Sequence, residues 1–109
     1  MTGSIGYCAS KAALNHAVRC AARELASTGD WQITAIVPGT VAETPLTESV
    51  DRQVMAIRDW DKVELLKQER IRQPFNRRIS KNEVADVVLA TFNGPMTLNG
   101  SVIDLTGGA

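Results

Sequence analysis

The chain has 109 residues, 44% of them hydrophobic and 22% charged, the profile of one small globular domain. Twelve basic residues balance twelve acidic ones, and a formal net charge of zero argues against a surface dedicated to nucleic acid or to an anionic membrane. No apolar run approaches the ~18 residues that span a bilayer, and the start does not read as a secretory leader, so a cytoplasmic protein is expected.

In chain order, residues 1–6 are short and glycine-punctuated and read as a loop feeding a helix. The helix is predicted from about Gly6 to Ser27, because Ala12, Ala13, Ala17, Ala21, Ala22 and Ala26 are strong helix formers. Leu14, Val18 and Leu25 among those alanines give a broad apolar surface with two faces to bury, one of them on a sheet. Gly29 is expected as the left-handed cap. Cys8 and Cys20 lie too far apart on this helix to be bridged, which suits a reducing compartment. Cys8 has no base within reach, since the single histidine, His16, is more than two turns away, and is read as packing.

Trp31–Val37 is a β-branched, mostly apolar run that reads as a buried parallel strand, and Pro38-Gly39 stops it. In open α/β sheets ligands bind outside the carboxyl ends of strands, where Pro38 through Thr44 would lie. Residues 45–76 read as two short amphipathic helices with Trp60 near their junction, on the spacing of Val50, Val54 and Ile57 and then of Val63, Leu66 and Ile71. Asp61 with Glu64, and Ser80 with Glu83, have the spacing of capping boxes. The second opens a helix running to about Phe92, with Val84, Val87, Val88 and Phe92 as its apolar face and Asn93-Gly94-Pro95 as its stop. Leu98 through Leu105 is the last predicted strand, and Gly107-Gly108-Ala109 a short tail. The basic cluster Arg70, Arg72, Arg77 and Arg78 reads as a solvated loop face. One histidine and two distant cysteines build no metal site.

The chemistry concentrates at Tyr7-Cys8-Ala9-Ser10-Lys11. Residues four apart on a helix share a face, so the Tyr7 phenol and the Lys11 ammonium point into the same space. A phenol is a poor base at neutral pH, and a fixed cation nearby favours its phenolate. The pair therefore reads as a general acid/base unit for an alcohol or carbonyl oxygen. Alone, Y-x-x-x-K also describes an exposed helical pair.

The context is more specific. Gly6 through Leu14, then Val37-Pro38-Gly39-Thr40-Val41, Glu43-Thr44-Pro45, Arg78-Ile79, Glu83-Val84-Ala85 and Gly100 through Leu105 resemble, in order, segments of the short-chain dehydrogenase/reductase family. The resemblance covers nearly the whole chain but only the C-terminal half of a typical member. It implies an α/β fold, the C-terminal part of a Rossmann-like doubly wound parallel sheet, ordered helix, strand, lid helices, helix, strand. Residues 1–109 would be a single partial domain, with 45–76 its substrate lid, and Met55, Trp60 and Leu65 would line a substrate pocket or pack in a core.

The resemblance also implies catalysis by Tyr7 and Lys11. It implies an NAD or NADP cofactor held by Tyr7, Lys11, Pro38, Gly39, Val41 and Thr44, with the Val41 backbone at the nicotinamide carboxamide and the Thr44 hydroxyl in contact. The substrate would be a small alcohol or carbonyl compound, and the long helix would help form a homo-oligomer. The sequence departs from the family's pattern at Ala42, an extra residue between Gly39 and Thr44, and at Thr34, where asparagine is usual. The family's catalytic serine precedes the tyrosine by more than the six residues present here, and no glycine-rich phosphate loop occurs. The chain is therefore expected to be a fragment of an oxidoreductase, inactive alone. The alternative is a non-catalytic truncated product acting as a helix-mediated pairing module. The choice between NAD and NADP and the identity of the substrate do not follow from these residues.

Overall fold

The alanine-rich stretch is helical over Ile5–Leu25 (α1) in the computed structural model, which describes residues 4–108. The helix starts one residue before Gly6, so the expected loop shortens; its residues 1–3, like Ala109 of the tail, lie outside the described ones. Gly29 is not the cap. Ala26 caps in the right-handed conformation, φ −56° and ψ −28°, with its N–H on the Ala22 carbonyl, and Thr28 N–H reaches the Leu25 carbonyl at 2.9 Å. The Ser27 and Thr28 hydroxyls also turn back onto the Glu24 and Leu25 carbonyls. These bonds satisfy the Ala22, Glu24 and Leu25 carbonyls without a left-handed residue.

After α1 come strand β1 (Ala35–Pro38), helices α2 (Pro45–Arg58), α3 (Lys62–Arg72) and α4 (Lys81–Phe92), a 3-10 turn at Met96–Leu98 and strand β2 (Val102–Leu105). The two strands form one parallel sheet: Ala35 N–H donates to Ser101 at 3.0 Å and Gly39 N–H to Leu105 at 2.9 Å, in one register. The chain divides into two compact units, Met1–Val37 with Val88–Ile103, and Pro38–Val87 with Asp104–Ala109.

In the first unit both strands are shorter than expected, because side chains replace ladder bonds. Asn99 Oδ1 accepts from Ile33 N–H at 2.9 Å, and Thr34 Oγ1 donates to the Leu98 carbonyl at 3.1 Å. Gly100, at φ 78°, is outside the β region and donates its N–H to the Ile33 carbonyl at 2.8 Å. Asn99 Nδ2 also donates to the Ala22 carbonyl at 3.1 Å, which ties the C-terminal end of α1 to this crossing. Ala22 is buried, while Asn15, Val18 and Ala21 are half-buried on the same side of α1. Leu14 and the remaining alanine-rich surface are exposed, so this chain covers one face of the helix where two were expected to be buried. Cys8, read as packing, is exposed as well.

In the second unit the two amphipathic helices form as expected, with Trp60 between them and Arg58 stacked over its ring, 5.8 Å from the centroid. Asp59 ends α2 in the left-handed conformation, which a short polar side chain tolerates. Asp61 Oδ1 caps α3 by accepting from Glu64 N–H at 2.8 Å. The expected apolar stripe packs in part: Val50, Val54 and Leu66 are half-buried and Ile57, Val63 and Ile71 are exposed, while the fully buried residues are Leu65, Thr47 and Asp51. Among the described residues no helix is long and apolar enough to cross a membrane.

Candidate active site

Tyr7 and Lys11 stand one turn apart on the first half of α1, as their spacing demands. Lys11 Nζ lies over the Tyr7 ring, 5.7 Å from its centroid, within cation–π range. Tyr7 is 62% exposed, so its phenol can be approached from outside. Ser10, between them in sequence, donates its hydroxyl to the Tyr7 carbonyl at 2.8 Å and is spent on the helix backbone.

Pro38, Gly39, Val41 and Thr44 are brought together in the second unit, on the segment leaving the carboxyl end of β1. Thr40 and Ala42 continue the pairing beyond the strand, with Ile79 N–H donating to the Thr40 carbonyl at 3.0 Å and Ala42 N–H to the Ile79 carbonyl at 2.8 Å. This makes Val41 the centre of a parallel bridge to Ile79, with its own N–H and C=O directed away from Ile79. The C=O accepts from Thr47 Oγ1 at 2.7 Å. A Cβ at Gly39 would make ordinary contacts, 3.4 Å from Ile79 Cδ1 and 3.8 Å from the Leu105 carbonyl.

Thr44 is the N-cap of α2. Its hydroxyl accepts from Thr47 N–H at 3.1 Å and donates to Thr47 Oγ1 at 2.9 Å. Pro45 follows at the first helical position, where a missing N–H costs nothing. Ala42 and Glu43 form a turn in which Glu43 takes φ 57°, and Lys81 Nζ donates to the Glu43 carbonyl at 3.3 Å.

Sequence reasoning missed the most buried polar group of this unit. Asp51, 4% exposed, receives both Nη atoms of Arg78, at 2.9 and 2.7 Å, and the Lys62 ammonium. Arg78, with a side chain 13% exposed, also donates Nε to Glu69 Oε2 at 2.7 Å. It is therefore not part of a solvated basic face. Burial pushes the Asp51 carboxyl up, but the hydrogen bonds and charges of Arg78 and Lys62 outweigh it and hold the group below its usual value. Arg78 is raised, first by its bond to Asp51 and then by Glu69, against the opposing effect of burial. No local signal marked it, since its partner Arg78 stands 27 residues on.

Two hollows in this unit have volumes of about 160 Å³, beside Glu69 and Arg78, and about 100 Å³, beside Phe75 and Gly107. Both fall below the ~300 Å³ at which ligand pockets begin.

A family model of the short chain dehydrogenases matches residues 1–55. No curated protein matches the chain. A solved short chain dehydrogenase family protein from Francisella tularensis subsp. tularensis SCHU S4 is 26% identical, with a TM-score of 0.86 over 99% of this chain and 44% of its own. A variant actinorhodin polyketide ketoreductase solved with NADPH is 28% identical, with a TM-score of 0.86 over 99% of this chain and 41% of its own. The chain thus spans less than half the length of the solved structures it matches. The family match runs through Tyr7, Lys11 and the Pro38–Thr44 segment, and the parallel strands and helices superpose along nearly the whole chain. By both sequence and fold, this chain belongs to the short chain dehydrogenase family and has the fold of the C-terminal part of its Rossmann-like sheet.

Proposed function

We propose that the chain is part of an NAD(P)-dependent oxidoreductase that interconverts an alcohol and a carbonyl compound, with Tyr7 as its acid/base. The observation that carries this reading is the juxtaposition of an exposed phenol and an ammonium 5.7 Å from its ring centroid, on a segment matched by the family model. The ketoreductase solved with NADPH, similar over nearly the whole chain, supports a nicotinamide cofactor.

When bound, that cofactor supplies the hydride. In the reducing direction Tyr7 Oη gives its proton to the substrate oxygen, and in the oxidising direction it takes the alcohol proton. The Lys11 charge stabilises the oxyanion left on Tyr7 and offers donors to a ribose hydroxyl. Val41 N–H orients the carboxamide, while Pro38 and Gly39 bring backbone close to it. Thr44 holds the loop by capping α2 and keeps a lone pair for a polar contact. Segment 45–76 is assigned to substrate selection. The exposed alanine-rich face of α1 is assigned to pairing with a second copy of the chain.

The test is Tyr7→Phe in the full chain, with NADPH consumption measured over a panel of ketones and cofactor binding measured by calorimetry. Turnover should vanish while binding persists. Retained turnover would remove Tyr7 from the chemistry.

A further inference from the structure

The Thr40–Thr44 loop is held from two sides within its own unit. On one side Ile79 pairs with Thr40 and Ala42 through the two backbone bonds of the bridge. On the other, Thr47 of α2 donates its hydroxyl to the Val41 carbonyl. Thr47 and Asp51 are the two buried residues of α2 and lie one turn apart on one face. Arg78 immediately precedes Ile79. The bidentate bond of Arg78 to Asp51 therefore joins the helix holding one side of the loop to the strand segment holding the other. It closes a ring that runs from Val41 through Thr47, Asp51, Arg78 and Ile79 and back to Val41.

We propose that Asp51 and Arg78 are positioning residues that set the conformation of the Thr40–Thr44 loop, and with it the aim of the Val41 N–H. The side-chain hydrogen bonds of the pair run to each other, to Lys62 and to Glu69, and none of them to the Thr40–Thr44 loop. The planar fork of an arginine on a carboxylate fixes direction as well as distance, which a single-point contact does not. Low exposure of both partners keeps water from substituting for either. Lys62 and Glu69, the outer members of the cluster, attach α3 to the same pair without closing the ring. Their role is separable from that of Asp51. As far as it concerns cofactor binding, the inference rests on the function proposed above; as far as it concerns the loop, it does not.

The experiment compares Asp51→Asn with Glu69→Gln in the full chain, by amide hydrogen exchange and by NADPH titration. Asp51→Asn should speed exchange at the Ala42 and Ile79 amides by about tenfold or more, the loss of a charged hydrogen bond, and weaken NADPH binding by a similar factor. Glu69→Gln, at comparable thermal stability, should leave those two amides within about twofold of the parent, since the ring remains closed. If Asp51→Asn does not fold, Arg78→Lys keeps the charge and loses the fork, and should loosen the same two amides. Unchanged exchange at Ala42 and Ile79 in both variants, or equal loosening by Glu69→Gln, overturns the proposal. If the parent chain binds no NADPH while the exchange pattern holds, the proposed cofactor role falls and the positioning role stands.

Discussion

Ser80 and Glu83 cap each other across the first turn of α4. Glu83 N–H donates to Ser80 Oγ at 3.1 Å, and Ser80 N–H donates to Glu83 Oε2 at 2.8 Å. The same carboxylate receives Arg77 bidentately, Nη1 at 2.8 Å and Nη2 at 2.6 Å. One acidic side chain therefore starts the helix and anchors the loop before it. Ser80→Ala removes the hydroxyl half of the box and should cost about 1 kcal/mol, read as a lower urea midpoint at unchanged slope.

The same carboxylate predicts an acid limb in stability. The bond from Arg77, then those from Ser80, lower Glu83 from 4.5 to about 2. The folded form thus binds its proton later than the unfolded chain as pH falls. The stabilisation is complete above pH 4.5 and is lost as pH falls towards 2. Asp51 is lowered as well and acts in the same direction. Glu83→Gln should flatten the stability profile across this window and change little at neutral pH beyond a constant offset. Thermal midpoints taken from pH 7 down to pH 2 read the difference.

On the proposed function, in which Tyr7 transfers the proton and Lys11 meets the ribose, the two should separate kinetically. Tyr7→Phe removes the transferable proton and should lower kcat by about 10²–10⁴-fold with cofactor affinity kept. Lys11→Ala removes both the charge beside the phenol and the donors offered to the ribose, so it should lower kcat and also weaken cofactor binding. Equal effects of the two variants on binding would contradict the separate roles.

At Gly107 two penalties compete. Its φ is 68°, and a Cβ there would lie 2.7 Å from Phe75 Cδ2. The Phe75 ring is 70% exposed and can swing away, whereas the backbone conformation cannot relax without losing the turn. Gly107→Ala should destabilise by about 1 kcal/mol through the left-handed backbone alone. Adding Phe75→Ala should not restore stability; full recovery would mean that the clash, and not the backbone, carries the cost.

Local features were legible in the sequence because their causes are local. The capping pairs Asp61 with Glu64 and Ser80 with Glu83, the alanine run of α1 and the break at Pro38-Gly39 act over one turn or less, and the structure has each of them. The Tyr7–Lys11 juxtaposition follows from helical spacing alone. The strand limits were less legible. Asn99 takes up Ile33 N–H from 66 residues away, and no local pattern announces a side chain that replaces a ladder bond.

The interior of the second unit was decided by tertiary structure. Helical periodicity ranks Val50, Val54, Ile57, Val63, Leu66 and Ile71 alike as core, yet Val50, Val54 and Leu66 are only half-buried and the other three exposed, while Thr47 and Asp51 are buried. Periodicity reports which residues share a face, but not which face meets a neighbour. A buried carboxylate costs too much to keep without a partner, and the partner of Asp51 stands 27 residues away at Arg78. Only the fold brings that guanidinium back to α2. The family and the Tyr7–Lys11 juxtaposition were thus readable from sequence, because short motifs and helical spacing carry them; the ring through Asp51 and Arg78 was not, because it exists only once the chain has closed on itself.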